Sequence, residues 1–209
     1  MKNKYFDDKA KTWDDSPIRL QLAHAITDYL QEVVNFQSDF TVLDFGCGTG
    51  LLSFLLSDKV KSIHAVDTSE GMLEQIKKKA CETNITNITV ANLDIANGHA
   101  LGTEYDVIVS SMTLHHLEDV PGVVQKLADC VKPGGWIALA DLCKEDGSFH
   151  TEIKVPHFGF EPITIKNILK HLSFSNFHID TAFHICRNER TYPVFCICAK
   201  KQDHKKGCL

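Results

Sequence analysis

No stretch of this chain is apolar for long enough to cross a bilayer, and its opening, MKNKYFDDKAKTWDD, lacks the hydrophobic segment of a secretory signal. Both absences lead to the expectation of a cytoplasmic protein without a membrane anchor. An excess of positive charge is missing too. The 22 Lys and Arg residues face 27 Asp and Glu, a formal net charge of −5, so no general attraction to nucleic acid or anionic lipid is expected. The eight cysteines lack the regular spacing of a disulfide framework, and without a secretory signal they read as reduced, mostly buried thiols. Cys196-x-Cys198 lies on an apolar strand with both side chains on one face, which suits packing, and no metal site is expected. The C-terminal cysteine is second from last, which excludes a prenylation box, and KKQDHKKGCL reads as a frayed polar tail.

What the chain does have is bulk and alternation. Its 209 residues, 44% hydrophobic and divided by no repeat or linker, suit one domain with a sizeable core. Ser16-Pro17 opens a helix whose Ile18, Leu22, Ile26, Tyr29 and Val33 fall on one face. Strands are predicted at Val42–Phe45, Ser62–Val66, Ile88–Ala91, Asp106–Ser110 and Trp136–Ala140. Helices are predicted after Thr49, from Thr68 or Ser69, over Pro121–Val131 and over Ile165–Leu172. Lys132-Pro133-Gly134-Gly135 reads as a tight turn, and Phe177–Cys186 with Thr191–Ala199 as an antiparallel hairpin joined by Arg187–Arg190. Strands alternating with helices, then a hairpin, predict an α/β fold with a mostly parallel sheet.

The most informative stretch is Thr41–Gly50, TVLDFGCGTG: an apolar strand, an acid, and a glycine-rich turn before a helix. Gly46, Gly48 and Gly50 can take positive φ and let a ligand lie against the backbone. The spacing is G-x-G-x-G, and Leu51 stands where a dinucleotide fingerprint needs its last glycine. Asp44 adds an anion beside the turn, which suits a ligand carrying an amine and a sulfonium better than a pyrophosphate.

Val42 through Gly50 resembles the first motif of the class I S-adenosylmethionine-dependent methyltransferases, hydrophobic-hydrophobic-(Asp/Glu)-x-G-x-G-x-G. The resemblance runs from about Asp39 to Lys201 and implies a Rossmann-like sheet of order 3-2-1-4-5-7-6, with the last strand antiparallel and helices on both faces. On this reading residues 1–38 are an N-terminal lid and helix, 39–141 the cofactor-binding half, 142–201 the substrate lid, helix and hairpin, and 202–209 a tail. The implied cofactor is S-adenosyl-L-methionine, with S-adenosyl-L-homocysteine as product.

The resemblance assigns Asp44, Gly46, Cys47, Gly48 and Gly50 to the amino-acid portion of that cofactor, and Asp67, with Thr68 beside it, to the ribose. It assigns Asp94 and Ile95 to the adenine. Met72 suits either the adenine face or the core. Tyr105–His116 is similar to the fourth motif of small-molecule members, with Ser110 and Ser111 beneath the methionine part. It lacks the Asn/Asp/Ser-Pro-Pro-aromatic signature of members that methylate base or glutamine amines.

His115 and His116 are placed by sequence to act as a general base, although adjacent histidines point differently and each could simply support its loop. Asp141 ends a strand where the crevice opens, and Leu142–Pro162, carrying His150 and His157, reads as a substrate lid. Its Phe149, Phe158 and Phe160 fit an apolar or planar substrate or mere loop anchoring. Trp13, with Tyr5 and Phe6, is expected over the cofactor. The resulting expectation is a monomeric or dimeric enzyme that methylates O, N or S of a small molecule. A nicotinamide- or flavin-binding oxidoreductase and a non-catalytic cofactor-binding subunit stand as alternatives. Arsenic methylation gains little support from the cysteine spacing.

Overall fold

The computed structural model describes residues 2–187 and 189–203. Most of the expected polar tail, from 204 onward, and one position of the expected hairpin turn lie outside the described residues. A single seven-stranded sheet organises the chain. Its strands are β1 (Thr41–Phe45), β2 (Ser62–Asp67), β3 (Ile88–Asn92), β4 (Tyr105–Ser111), β5 (Val131–Leu142), β6 (Phe174–Arg187) and β7 (Arg190–Lys201). The order is β3-β2-β1-β4-β5-β7-β6, as the resemblance implied. Pairing is parallel from β3 to β5, and β7 runs antiparallel between β5 and β6.

The helices are α1 (Lys2–Lys9), α2 (Pro17–Val33), α3 (Leu51–Leu56), α4 (Glu70–Thr83), α5 (Val120–Asp129) and α6 (Pro162–His171). Strand periodicity sorts the core into two layers. Leu43, Phe45, Ile108, Ile137, Leu139, Phe195 and Ile197 face one way, against Val123 and Leu127 of α5 and Ile165 and Leu169 of α6. Val42, Val107, Val109, Ala138, Ala140, Cys196 and Cys198 face the other way, against Leu22, Ile26 and Leu30 of α2 and Leu52 and Leu56 of α3. Cys196 and Cys198 are thus packing residues, and the seven described cysteines are free thiols. Pro17 starts α2 where its missing N–H costs nothing. Ser69 caps α4 by accepting the Met72 N–H, and Asp119 caps α5 by accepting that of Gly122.

Several boundaries differ from expectation, α6 among them, which starts at Pro162 ahead of the predicted Ile165. The tight turn at Lys132–Gly135 is a bulge inside a longer β5, because Val131 already pairs with Tyr105 before Trp136 resumes pairing at Val107. That early pairing also ends α5 at Asp129 instead of Val131. Gly134 takes φ +73° in this bulge, and a Cβ on Gly135 would lie 2.7 Å from the Asp106 carbonyl oxygen. β6 begins at Phe174, ahead of the predicted Phe177, across a register shift at Ser175/His178 with Asn176 at φ 54°. A bulge breaks period-2 alternation, so it hides such a strand start.

The register levels the carboxyl ends of the central strands. Phe45 lies opposite both Val66 and Ser110, and Ser111 opposite Ala140. Asp67, Ser111 and Asp141 therefore meet at one edge, where the sheet order reverses between β1 and β4. Among the described residues no helix is long and apolar enough to cross a membrane. Phe195, 1% exposed, is central to the layer under α5 and α6. Phe195→Ala should cost about 3–5 kcal/mol in chemical denaturation, whereas a cost under about 1 kcal/mol would mean that this layer is not close-packed.

Candidate active site

The glycine turn after β1 is built by positive φ: 68° at Gly46, 53° at Gly48 and 82° at Gly50. These glycines differ in what surrounds them. A Cβ on Gly46 would fall 2.2 Å from Thr113 Oγ1, whereas a Cβ on Gly48 would meet nothing within 4 Å. Gly46 thus permits close packing of two loops, and Gly48 leaves open space over the backbone. The Gly46 and Cys47 amides both donate to the Val66 carbonyl, at 2.9 and 3.1 Å, which pins the turn to β2. Cys47 is buried and its thiol is pushed well above its ordinary pKa by burial, so it packs as a thiol.

Two carboxylates flank the turn, Asp44 buried and Asp67 partly buried. Asp44, 2% exposed, accepts from Ser53 Oγ at 2.6 Å, and burial raises its pKa to about 6. Asp67 Oδ2 accepts the Gly48 N–H at 2.8 Å and Oδ1 the Ser69 N–H at 2.9 Å. Burial raises its pKa as well, against the lowering effect of these backbone donors. Thr68 lies between them, and its carbonyl accepts from Asn92 Nδ2 at 3.3 Å. Met72 is buried on α4 at 1% exposure.

The N-terminal segment, with Tyr5, Phe6 and Trp13, is fastened beside this turn. What the sequence did not disclose are its two fastenings. Asp7 accepts from Ser69 Oγ at 2.6 Å and from the Gly71 N–H at 2.9 Å. Asp14 accepts from Thr49 Oγ1 at 2.6 Å and Lys79 Nζ at 2.7 Å. Single acids in a polar stretch carry no spacing signal, so these contacts were not readable. The Phe6 ring meets Trp13 at 5.8 Å and His116 at 5.3 Å, and Trp13 in turn carries the Arg19 guanidinium 3.7 Å above it.

The remaining sequence candidates separate. Asp94 turns back on its own loop, accepting from the Asn97 N–H at 3.0 Å and Asn97 Nδ2 at 2.7 Å. The Ile95 side chain is a core residue, 1% exposed, and its carbonyl accepts from Lys126 Nζ. Ser110 is buried and donates to the Phe45 carbonyl at 2.9 Å. The Ser111 carbonyl accepts from Thr113 Oγ1 at 3.0 Å, and that Thr113 is a loop-fixing residue that sequence reasoning missed.

At the other side of the crevice stands a chain of three groups. His115, 1% exposed, places Nδ1 2.5 Å from Asp141 Oδ1, and its backbone N–H donates to Asp141 Oδ2 at 3.3 Å. Asp141 is fully buried and also accepts the Leu142 N–H at 2.7 Å. A carboxylate only accepts, so Nδ1 carries the hydrogen and Nε2 of His115 presents its lone pair. His150 Nε2 lies 2.9 Å from that atom. Burial first, then His115 and Arg187, lower the His150 pKa to about 4. His116 completes the cluster, with its ring centroid 4.2 Å from that of His115 and 5.2 Å from that of His150.

The long connection after β5 is tied at its base. Phe160 N–H donates to the Leu142 carbonyl at 2.9 Å, and Lys144 N–H to that of Phe160 at 3.0 Å. Phe149 and Phe160 are buried anchors, and Phe158 is 51% exposed. Tyr5 Oη donates to Glu152 at 2.8 Å, joining this loop to α1. The loop delivers His150 to His115. His157 is placed differently: its N–H reaches the His115 carbonyl at 3.4 Å, its ring packs 5.2 Å from Phe160, and its buried Nε2 has no partner among the described residues. Two surface furrows lie away from this crevice, one lined by Asp106, Lys132, Trp136 and Lys200 and the other by Thr41, Ser62 and Glu104. The crevice itself is covered by α1 and the loop.

Residues 18–180 match a family described as "Methyltransferase domain", and the chain belongs to that family. It is 34% identical over 167 residues to an uncharacterized methyltransferase of Schizosaccharomyces pombe, covering 71% of this chain and 59% of that protein. It is 30% identical over 160 residues to a malonyl-[acyl-carrier protein] O-methyltransferase of Acetivibrio thermocellus, covering 75% and 52%. The chain thus spans a little over half the length of these two curated relatives. Among solved structures, magnesium protoporphyrin IX methyltransferase from Synechocystis with bound S-adenosylmethionine shares the fold, with TM-score 0.65 and 21% identity over 88% of this chain and 80% of that one. The Rossmann-like methyltransferase fold expected from the first motif is therefore present.

The Asp44 shift has a signed consequence. Unfolded, its pKa is about 4; folded, it is about 6. Between those values the folded state holds a proton that the unfolded state has lost, so this group's contribution to stability falls as pH rises through that window. At pH 7 the ionised, buried group costs about 2–3 kcal/mol. Asp44→Asn keeps an acceptor for Ser53, so it should raise stability at pH 7 by about 1–3 kcal/mol and leave wild type and variant nearly equal at about pH 4. Urea denaturation of both proteins at the two pH values checks this, and equal stability at pH 7 would place Asp44 in a solvated setting.

Proposed function

We propose that this chain transfers a methyl group from S-adenosyl-L-methionine to an O, N or S atom of a small molecule. One observation carries the reading: the open space above Gly48, where a Cβ meets nothing within 4 Å, in a turn flanked by the buried Asp44 and the partly buried Asp67. Two carboxylates repel a pyrophosphate but suit a ligand with a cationic amine and sugar hydroxyls. Bound there, the cofactor supplies an electrophilic methyl group on a sulfonium. The backbone of Gly46–Gly50, with Cys47 and Asp44, takes its amino-acid end. Asp67 and Thr68 take the ribose, Asp94, the Ile95 amide and Met72 the adenine, and Ser110 and Ser111 line the floor under the methionine portion.

The protein's contribution to such an in-line displacement is alignment, worth roughly 7–11 kcal/mol. His115 and His116 stand on the acceptor side as the groups that engage its nucleophilic atom, and Asp141 fixes the His115 ring. Trp13, His150 and His157 belong to the two covers that exclude water from the reacting atoms. The O-methyltransferase named among the relatives supports oxygen as the first acceptor to try. On this reading the protein works in the cytoplasm as a monomer or dimer.

Calorimetric titration with S-adenosylhomocysteine tests the cradle. Gly48→Val fills the open space and should weaken binding by at least about 100-fold, since it removes the ligand's volume and strains a positive φ by about 1–3 kcal/mol. Far-UV dichroism should stay native. A folded valine variant that binds as well as wild type would move the cofactor elsewhere. Release of labelled methyl groups across a panel of carboxylic acids, phenols, amines and thiols then identifies the acceptor.

A further inference from the structure

We propose that His115, His116 and His150 form a three-imidazole site for a divalent transition-metal ion of the zinc type. One ring nitrogen from each lies within 4.8 Å of the other two. His115 Nε2 and His150 Nε2 are already 2.9 Å apart. Zinc–nitrogen bonds of about 2.0–2.1 Å in a tetrahedron require nitrogens about 3.3–3.4 Å apart, so that pair needs to part by only a few tenths of an ångström while His116 closes in. His116 and His150 are half-buried, so both rings have room for such a movement.

The surroundings match what a metal requires. Asp141 receives Nδ1–H of His115, fixing the tautomer that presents Nε2 and strengthening it as a donor. The ligands come from two segments, the turn after β4 and the loop after β5, so the ion would clamp the loop to the sheet edge. Three protein ligands leave a tetrahedral ion one open position, the mark of a catalytic site more than a structural one. An all-imidazole set favours zinc, copper or nickel over magnesium or calcium. The hydrogen bond between His115 and His150 alone does not explain why a third ring converges with them.

The role of the open position rests on the proposed methyl transfer. It would take the acceptor's oxygen, whose proton leaves to bulk water as the ion lowers its pKa. An oxygen lone pair then forms the new O–CH3 bond while the electron pair of the breaking S–CH3 bond stays on sulfur. The metal binding itself stands on the histidine geometry alone and departs from the sequence expectation of no metal.

Titrating zinc sulfate into chelator-treated full-length protein by calorimetry tests the site. Wild type should bind one equivalent. His116→Ala and His150→Ala, the two less buried positions, should each weaken that binding at least about 10-fold, and Asp141→Asn about 10–100-fold. Cobalt added to wild type should give the intense visible bands of tetrahedral coordination, and those bands should be lost in both alanine variants. No saturable zinc binding by folded wild type overturns the proposal. So does zinc binding that both folded alanine variants retain, because it would then sit on other ligands. S-adenosylhomocysteine titrated in parallel separates the two readings: its failure beside intact zinc binding sinks methyl transfer and keeps the metal site, and the converse sinks the metal alone.

Discussion

Asp67 sits at the end of β2 with its oxygens shared between the amide of Gly48 and that of Ser69. One partly buried carboxylate therefore fixes the glycine turn after β1 and the entry to α4 at the same time. Charge-assisted hydrogen bonds of this kind are roughly twice as strong as neutral ones, and leaving such a group unpaired would cost several kcal/mol. The rest of the crevice follows. With Gly48 held, the turn keeps its positive φ and its open face, and with Ser69 held, the cap hydroxyl stands where Asp7 can reach it. Folding thus spends strong donors on a carboxylate whose pKa burial would otherwise raise further.

Electrostatically the crevice is divided. The glycine side carries the buried Asp44 and the partly buried Asp67, and the acceptor side carries three imidazoles braced by the buried Asp141. Two mobile-looking elements by sequence, the N-terminal segment and the loop after β5, are in fact fastened to these sides and to each other. Asp7 and Asp14 hold the first to α4 and to the glycine turn, Glu152 accepts from Tyr5 between them, and Arg190 pairs with Asp146 to hold the loop to β7. The exposed pairs among these fastenings are screened by solvent and weak, which suits covers that must open for a ligand to enter.

Much of this was legible from residues in order. Period-2 and helical patterns gave the strands and helices, and TVLDFGCGTG gave the turn, because local backbone needs are written locally. The departures came where local rules meet distant partners. Val131 pairs with Tyr105 and absorbs the Lys132–Gly135 turn into β5, and the bulge near Asn176 conceals the start of β6. Asp141 was placed at the crevice but not linked to His115, and His150 was assigned to a lid without its contact to His115. Those distances depend on how a long loop folds back, which spacing along the chain does not encode. Of the loop aromatics, Phe149 and Phe160 proved to be anchors.

On the proposed function the glycine-turn crevice, and no other surface, holds the cofactor. Hydrogen–deuterium exchange with and without saturating S-adenosylhomocysteine reads this directly, because it reports backbone amides one segment at a time. Added protection is expected at Gly46–Gly50, at Ser69–Met72 and in α1, with β6 and the Lys132–Trp136 bulge unchanged. Protection confined to the furrow along Lys132–Trp136, or none at the glycine turn despite measurable binding, would contradict it.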